Sequence, residues 1–164
     1  MHRLSLHLGP PRHGWLPVRV MVGGLALEFH AWRGPSDPVR ELYQAIQAVL
    51  SGGRGTVLWH VDPEGYFFEF TRLDDIFHLR VSHARQTFFS AKETVASVHG
   101  SSEDVLAPLL VALTQFEALR AGPPHWWLTE MPQLARLRDW VSACAGSAGA
   151  YAGRHALGIS RTGT

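Results

Sequence analysis

From Arg3 onward apolar and polar residues alternate, with Leu4, Leu6 and Leu8 on one side and Ser5 and His7 on the other, which predicts a strand. After the loop Gly9-Pro10-Pro11-Arg12-His13-Gly14, the segments Leu16 to Val22 and Leu25 to Trp32 read as two more strands. They meet across Gly23-Gly24, a two-residue hairpin signal. Gly34-Pro35-Ser36-Asp37-Pro38 stops this run, and the apolar period then changes. Val39, Leu42, Ile46, Val49 and Leu50 form one stripe of a helix, with Ser36 or Asp37 as its cap and Pro38 in its first turn. Gly52-Gly53 closes it.

A second set of strands follows. Val57 to Val61 and Tyr66 to Arg72 flank Asp62-Pro63-Glu64-Gly65, where Pro63 fixes φ and Gly65 can take positive φ. Tyr66, Phe68 and Phe70 share one face, and Phe67, Glu69 and Thr71 share a wetter one. Leu73-Asp74-Asp75 turns the chain into Ile76–Ser82, where Phe77, Leu79 and Val81 oppose His78 and Arg80. Gln86 to Ser90 and Thr94 to His99 are read as further strands. Ser101-Ser102-Glu103-Asp104 opens a long helix through Val105, Leu109, Leu113, Phe116 and Leu119, with Asp104 as the cap that puts Pro108 in the first turn. A third helix spans Met131 to Ala143, striped by Leu134, Leu137, Trp140 and Val141.

Strands joined by short turns pair antiparallel, so the fold class is α+β: an antiparallel meandering sheet of about six to seven strands with three helices packed on one face. Phe68, Phe70, Phe77, Leu79, Leu109, Leu113 and Phe116 are expected in one core. Residues 1–145 form a single α+β domain, and 146–164 a Gly/Ala/Ser-rich tail expected to be irregular. Tyr151, Leu157 and Ile159 are the tail's large apolar anchors and are expected to be at least half buried, with 156–160 a short edge strand.

Charge changes the picture more by its distribution than by its sum. Charged residues make up 18% of the chain, so few charges are left to cover six Trp and eight Phe, and some aromatic surface is expected to lie under another chain. The net charge of +1 gives no footprint for nucleic acid or an anionic membrane. Between Asp62 and Asp75, however, five acids face Arg72 alone. Cys144 is the single cysteine, which excludes an internal disulfide, and no apolar run is long enough to span a bilayer. A cytoplasmic location is expected.

The candidate chemistry is thin. Ten histidines include no helical i, i+4 pair, and no Cys pair exists to complete a metal clamp. His60 and His78, with Glu69 between them, fall on neighbouring predicted strands and read as a solvated cross-strand cluster before they read as a site. Asp62 and Glu64 resemble paired carboxylates, but turn carboxylates are usually only solvated. No GxSxG elbow and no phosphate loop occurs. The reading leans against an enzyme, and no cofactor or metal is expected. His125-Trp126-Trp127 stands out: two consecutive Trp cannot both enter one core from a regular strand, and Trp is enriched at interface hot spots.

Asp37-Pro38 opening the first helix, Gly52-Gly53 closing it, Asp62-Pro63-Glu64-Gly65-Tyr66 at the hairpin, and Trp127 through Met131-Pro132 before a Leu-spaced helix carry a resemblance. Over residues 16–143 the chain resembles small uncharacterised bacterial α+β domains that are similar to toxin-immunity proteins, some of them encoded beside toxins. The resemblance transfers no functional residue. It implies a non-catalytic, partner-binding protein, as an immunity protein neutralising a basic toxin would be. The alternative is a subunit or accessory protein of a larger bacterial assembly, including a homodimer, and a His/Glu-based small-molecule enzyme comes third. Asp62, Glu64, Asp74, Asp75, Trp126 and Trp127 are the expected partner-binding residues.

Overall fold

Two separate antiparallel meanders carry the strands. The computed structural model describes residues 3–152, with side chains through residue 144. The first meander is β1 (Leu4–Leu8), β2 (Trp15–Val22) and β3 (Leu25–Trp32), paired in chain order. Helix α1 (Pro38–Leu50) follows, and then a second sheet of β4 (Gly55–His60), β5 (Gly65–Leu73), β6 (Ile76–Ala84) and β7 (Glu93–Gly100), again in chain order. Helices α2 (Ser102–Val105), α3 (Ala107–Ala118) and α4 (Leu134–Ala152) complete the described residues.

The expectation of one continuous sheet is therefore corrected to two, of three and four strands. The reason lies along the free edge of β4, which α1 occupies where β3 would have to pair. A β-carbon on Gly55 would sit 2.5 Å from Ala45 Cα, so helix and strand backbones touch there. Glu41 Oε2, from the same helix, accepts the Leu58 N–H at 2.8 Å. A carboxylate thus takes the place of a neighbouring strand, which also protects the edge.

Three helices become four because the long helix divides at Leu106. Ser101, rather than Asp104, is the cap: its hydroxyl accepts the Asp104 N–H while Asp104 reaches back to the Ser101 N–H. Pro108 has no N–H to continue α2 and sits in the first turn of α3. Helix α4 starts at Leu134 and runs beyond Gly146, where the composition predicted irregular chain. Ala143, Ala145, Ala148, Ala150 and Ala152 supply the helix propensity. The expected burial of Tyr151, Leu157 and Ile159 and the strand at 156–160 lie outside the described residues and side chains.

Gln86–Ser90 is a turn, not a strand. Its ends bond each other: Ser90 Oγ accepts the Gln86 N–H at 2.8 Å and donates to Gln86 O at 3.0 Å. The inward faces of both sheets meet the buried sides of the helices in one apolar cluster. Phe68, Phe70, Phe77, Leu79, Leu109, Leu113 and Phe116 all belong to it, as the alternation and the helical stripe predicted. Among the described residues no helix is long and apolar enough to cross a membrane.

Candidate functional site

Six chain segments meet at one end of the molecule. Trp15 and Trp32 face each other as register partners where β2 begins and β3 ends. Arg33 N–H donates to Gly14 O at 3.0 Å, and Gly14 N–H donates to His125 O at 2.8 Å. These bonds carry the loop after α3 to the same end. From Trp32 the contacts pass to His60, with ring centroids 5.6 Å apart, and from His60 to Phe88 at 5.9 Å.

Thr87 fixes the turn that carries Phe88. Its N–H donates to Pro63 O at 2.8 Å, and its Oγ1 lies 2.9 Å from Glu64 O and 3.1 Å from Pro63 O. The β6–β7 turn is therefore strapped to the β4–β5 turn. Gly65 serves this contact: a β-carbon there would meet Thr87 Oγ1 at 2.8 Å. Positive φ in the hairpin falls on Asp62 (φ 47), not on Gly65, correcting the assignment of that role. An Asp tolerates the left-handed region better than most residues.

What this strapping leaves outside is aromatic. Phe88 is 63% exposed and Phe89 87% exposed, and Trp15 and Trp32 are also exposed. Asp62 and Glu64 border them on the adjoining turn, with Glu64 Oε2 2.8 Å from His83 Nε2. Tyr66 lies under this edge, stacked on Phe29 at 4.6 Å and tilted against His83 at 5.0 Å. Burial, followed by the negative charge of Glu64, pushes the Tyr66 phenol above its ordinary value.

The six expected partner-binding residues do not form one group. Asp62 and Glu64 lie at the aromatic end, whereas Asp74 and Asp75 occupy the β5–β6 turn at the opposite end of nine-residue β5. At about 3.3 Å per residue the two turns are roughly 25–30 Å apart. Trp126 is fully buried in the core, and Trp127 meets it edge-on at 5.5 Å and is half-buried. Of the pair, Trp127 is the one with surface to offer.

The histidine–glutamate grouping is not assembled. His60 lies level with Gly65 on β5, and His78 lies level with Thr71, six residues further along β5. Glu69 is engaged instead by Arg80 Nε and Lys92 Nζ, each at 3.0 Å. Among the described residues no group of three or more His, Cys, Asp or Glu could hold a metal ion.

Sequence reasoning missed Phe88 and Phe89, although the signal was present. Two adjacent Phe cannot both face inward from one strand, the argument already applied to Trp126-Trp127. Trp32 was read only as a strand end, and Trp15, which begins β2, was left outside the predicted strand.

No protein-family model matches the chain, and no curated protein matches it. Among solved structures, a chain of a CdiA-CT/CdiI toxin and immunity complex from Enterobacter cloacae is similar. The match covers 73% of this chain and 99% of that one, with 10% sequence identity and a TM-score of 0.36. A likeness of that degree carries no argument about partner or chemistry.

Proposed function

We propose that the chain is a non-catalytic protein-binding module that docks its partner at the aromatic, acid-bordered end. The observation that carries this reading is the exposure of Phe88 and Phe89 on a turn held rigid by Thr87. Aromatic side chains presented on a fixed backbone, with charges at the rim, match the anatomy of interface hot spots. The finer reading is an immunity protein for a basic toxin. Asp62 and Glu64 would steer such a partner toward the aromatic cluster, Trp127 would extend the contact on the side of His125, and Asp74 and Asp75 would act only at long range. A subunit role, with a second copy covering the same aromatics, is the competing arrangement.

Coexpression with the products of the flanking genes, followed by affinity purification, tests the proposal. The expected result is a stoichiometric complex with one of them that disappears in a Phe88→Ala/Phe89→Ala variant of unchanged melting temperature. A dimer by light scattering that reverts to monomer in that variant replaces the toxin with a second copy. Identical behaviour of wild type and variant in both assays removes this end as a docking surface.

A further inference from the structure

The outward face of the second sheet carries the opposite charge. Rows set by the strand register place Thr56, Glu69, Arg80 and Ser97 side by side, and next to them Thr71, His78 and His99. Arg54 enters from the loop before β4, and together with Arg72 and all of these residues except Thr56 it lines an open groove of about 600 Å³. Lys92 reaches the same face, with Nζ 4.7 Å from the centre of the Phe67 ring and 3.0 Å from Glu69 Oε1. Glu69 is the one carboxylate in the groove, and it is bonded by both Lys92 and Arg80. Arg72 is paired with Asp75 at 3.5 Å, so Arg54 and Arg80 in the groove and Lys92 on the same face, set against Glu69, leave an excess of positive charge. Arg80 contacts Glu69 through Nε, and no hydrogen bond between described residues engages its Nη groups.

We propose that this face binds an acidic protein segment, through a surface distinct from the aromatic end. Charge complementarity is the argument for an anionic occupant: a face carrying Arg54, Arg80 and Lys92 around a single neutralised carboxylate attracts carboxylates and repels cations. The available ring surfaces decide between protein and nucleic acid. Lys92 covers one face of Phe67, and His78 and His99 turn a face of each ring to the other with centroids 5.5 Å apart, which reduces the ring surface on which bases could stack. The excess charge is also too small to neutralise the several phosphates that a duplex contact engages. Side-chain carboxylates, read by a guanidinium fork and flanking imidazole and hydroxyl groups, fit the face.

Fluorescence anisotropy with labelled decaglutamate and the full chain tests this, with decalysine and an oligothymidine of equal length as comparisons. Decaglutamate binds, and its affinity falls about tenfold or more between about 0.05 and 0.3 M salt. Arg54→Glu weakens binding by about threefold or more, as does Arg80→Gln. Arg54 is exposed in the loop before β4, so its variant remains informative where Arg80→Gln loosens the fold. Arg19→Glu, on the first sheet, and Phe88→Ala/Phe89→Ala leave decaglutamate binding unchanged, which separates this face from the aromatic end. Absence of decaglutamate binding, equal binding by the Arg54→Glu variant, or tighter binding of oligothymidine than of decaglutamate each overturns the proposal.

Discussion

Thr87 Oγ1 lies 2.8 Å from Nδ1 of the buried His60, joining the β6–β7 turn to the end of β4. The single Thr87 proton is directed at the carbonyls of Pro63 and Glu64, so the His60 ring nitrogen is the donor in this pair. One hydroxyl thereby holds two turns and a ring in register.

Thr87→Val keeps the shape and removes the hydroxyl, leaving a buried ring N–H without an acceptor. The expected loss is about 1–3 kcal/mol, read by urea denaturation. Amide exchange at Phe88 and Phe89 should accelerate in parallel. A variant with wild-type stability and exchange would mean that the strap carries no energy.

Gly55→Ala should be far more damaging than its size suggests. The new methyl meets Ala45 Cα at 2.5 Å and Ala45 O at 2.8 Å, backbone atoms that cannot rotate away. A cost of about 1–3 kcal/mol or more is expected from chemical denaturation, as for overpacking in a core. Gly24→Ala, where nothing lies within 4 Å, should stay within about 0.5 kcal/mol of wild type.

Phe116→Ala removes a ring from the cluster where α3 meets the sheets. The expected destabilisation is about 3–5 kcal/mol by thermal or urea unfolding. An unchanged melting temperature would displace α3 from the core.

Glu69 gives the fold a pH dependence of known sign. Burial pushes its carboxyl up, but hydrogen bonds and charge from Lys92 and Arg80 outweigh burial and hold it below the ordinary value of 4.5. Because the folded-state value is the lower one, its contribution is present above the ordinary glutamate value and is lost as pH falls from there through the lower folded-state value. The melting-temperature gap between wild type and Glu69→Gln should therefore narrow as pH drops from about 6 to about 3. A constant gap would assign the effect to packing.

Asp62→Lys/Glu64→Lys should slow association with the partner isolated by coexpression more than it speeds dissociation, and the effect should fade at high salt. Asp74→Lys/Asp75→Lys, at the far end of β5, should change the rate less. Equal slowing by both pairs would point to net charge rather than position.

Most strands were readable because a half-buried strand writes its own period. Leu4, Leu6 and Leu8, or Phe77, Leu79 and Val81, name their face without help. The separation of the sheets was not readable, since it depends on Gly55 touching Ala45 and on Glu41 reaching Leu58, contacts between elements. The aromatic end escaped for a related reason. Phe88-Phe89 carries strand-like composition, and only the bonds from Ser90 to Gln86 and from Thr87 to Pro63 make it a turn. The acids at 62–64 and 74–75 are near in sequence, yet one strand holds them apart.

The six tryptophans divide into optically separate populations. Trp59 and Trp126 are fully buried, and neither indole N–H has a hydrogen-bond partner among the described residues. Their emission belongs to a dry, apolar medium and stays out of reach of iodide or acrylamide. Trp15 and Trp32, at the aromatic end, and Trp140, on α4, are instead open to quencher. The chain therefore carries its own pair of dyes: a blue-shifted signal that reports whether the interior is intact and, once Trp140 is replaced by Phe, a quenchable one that reports whether the aromatic end is covered.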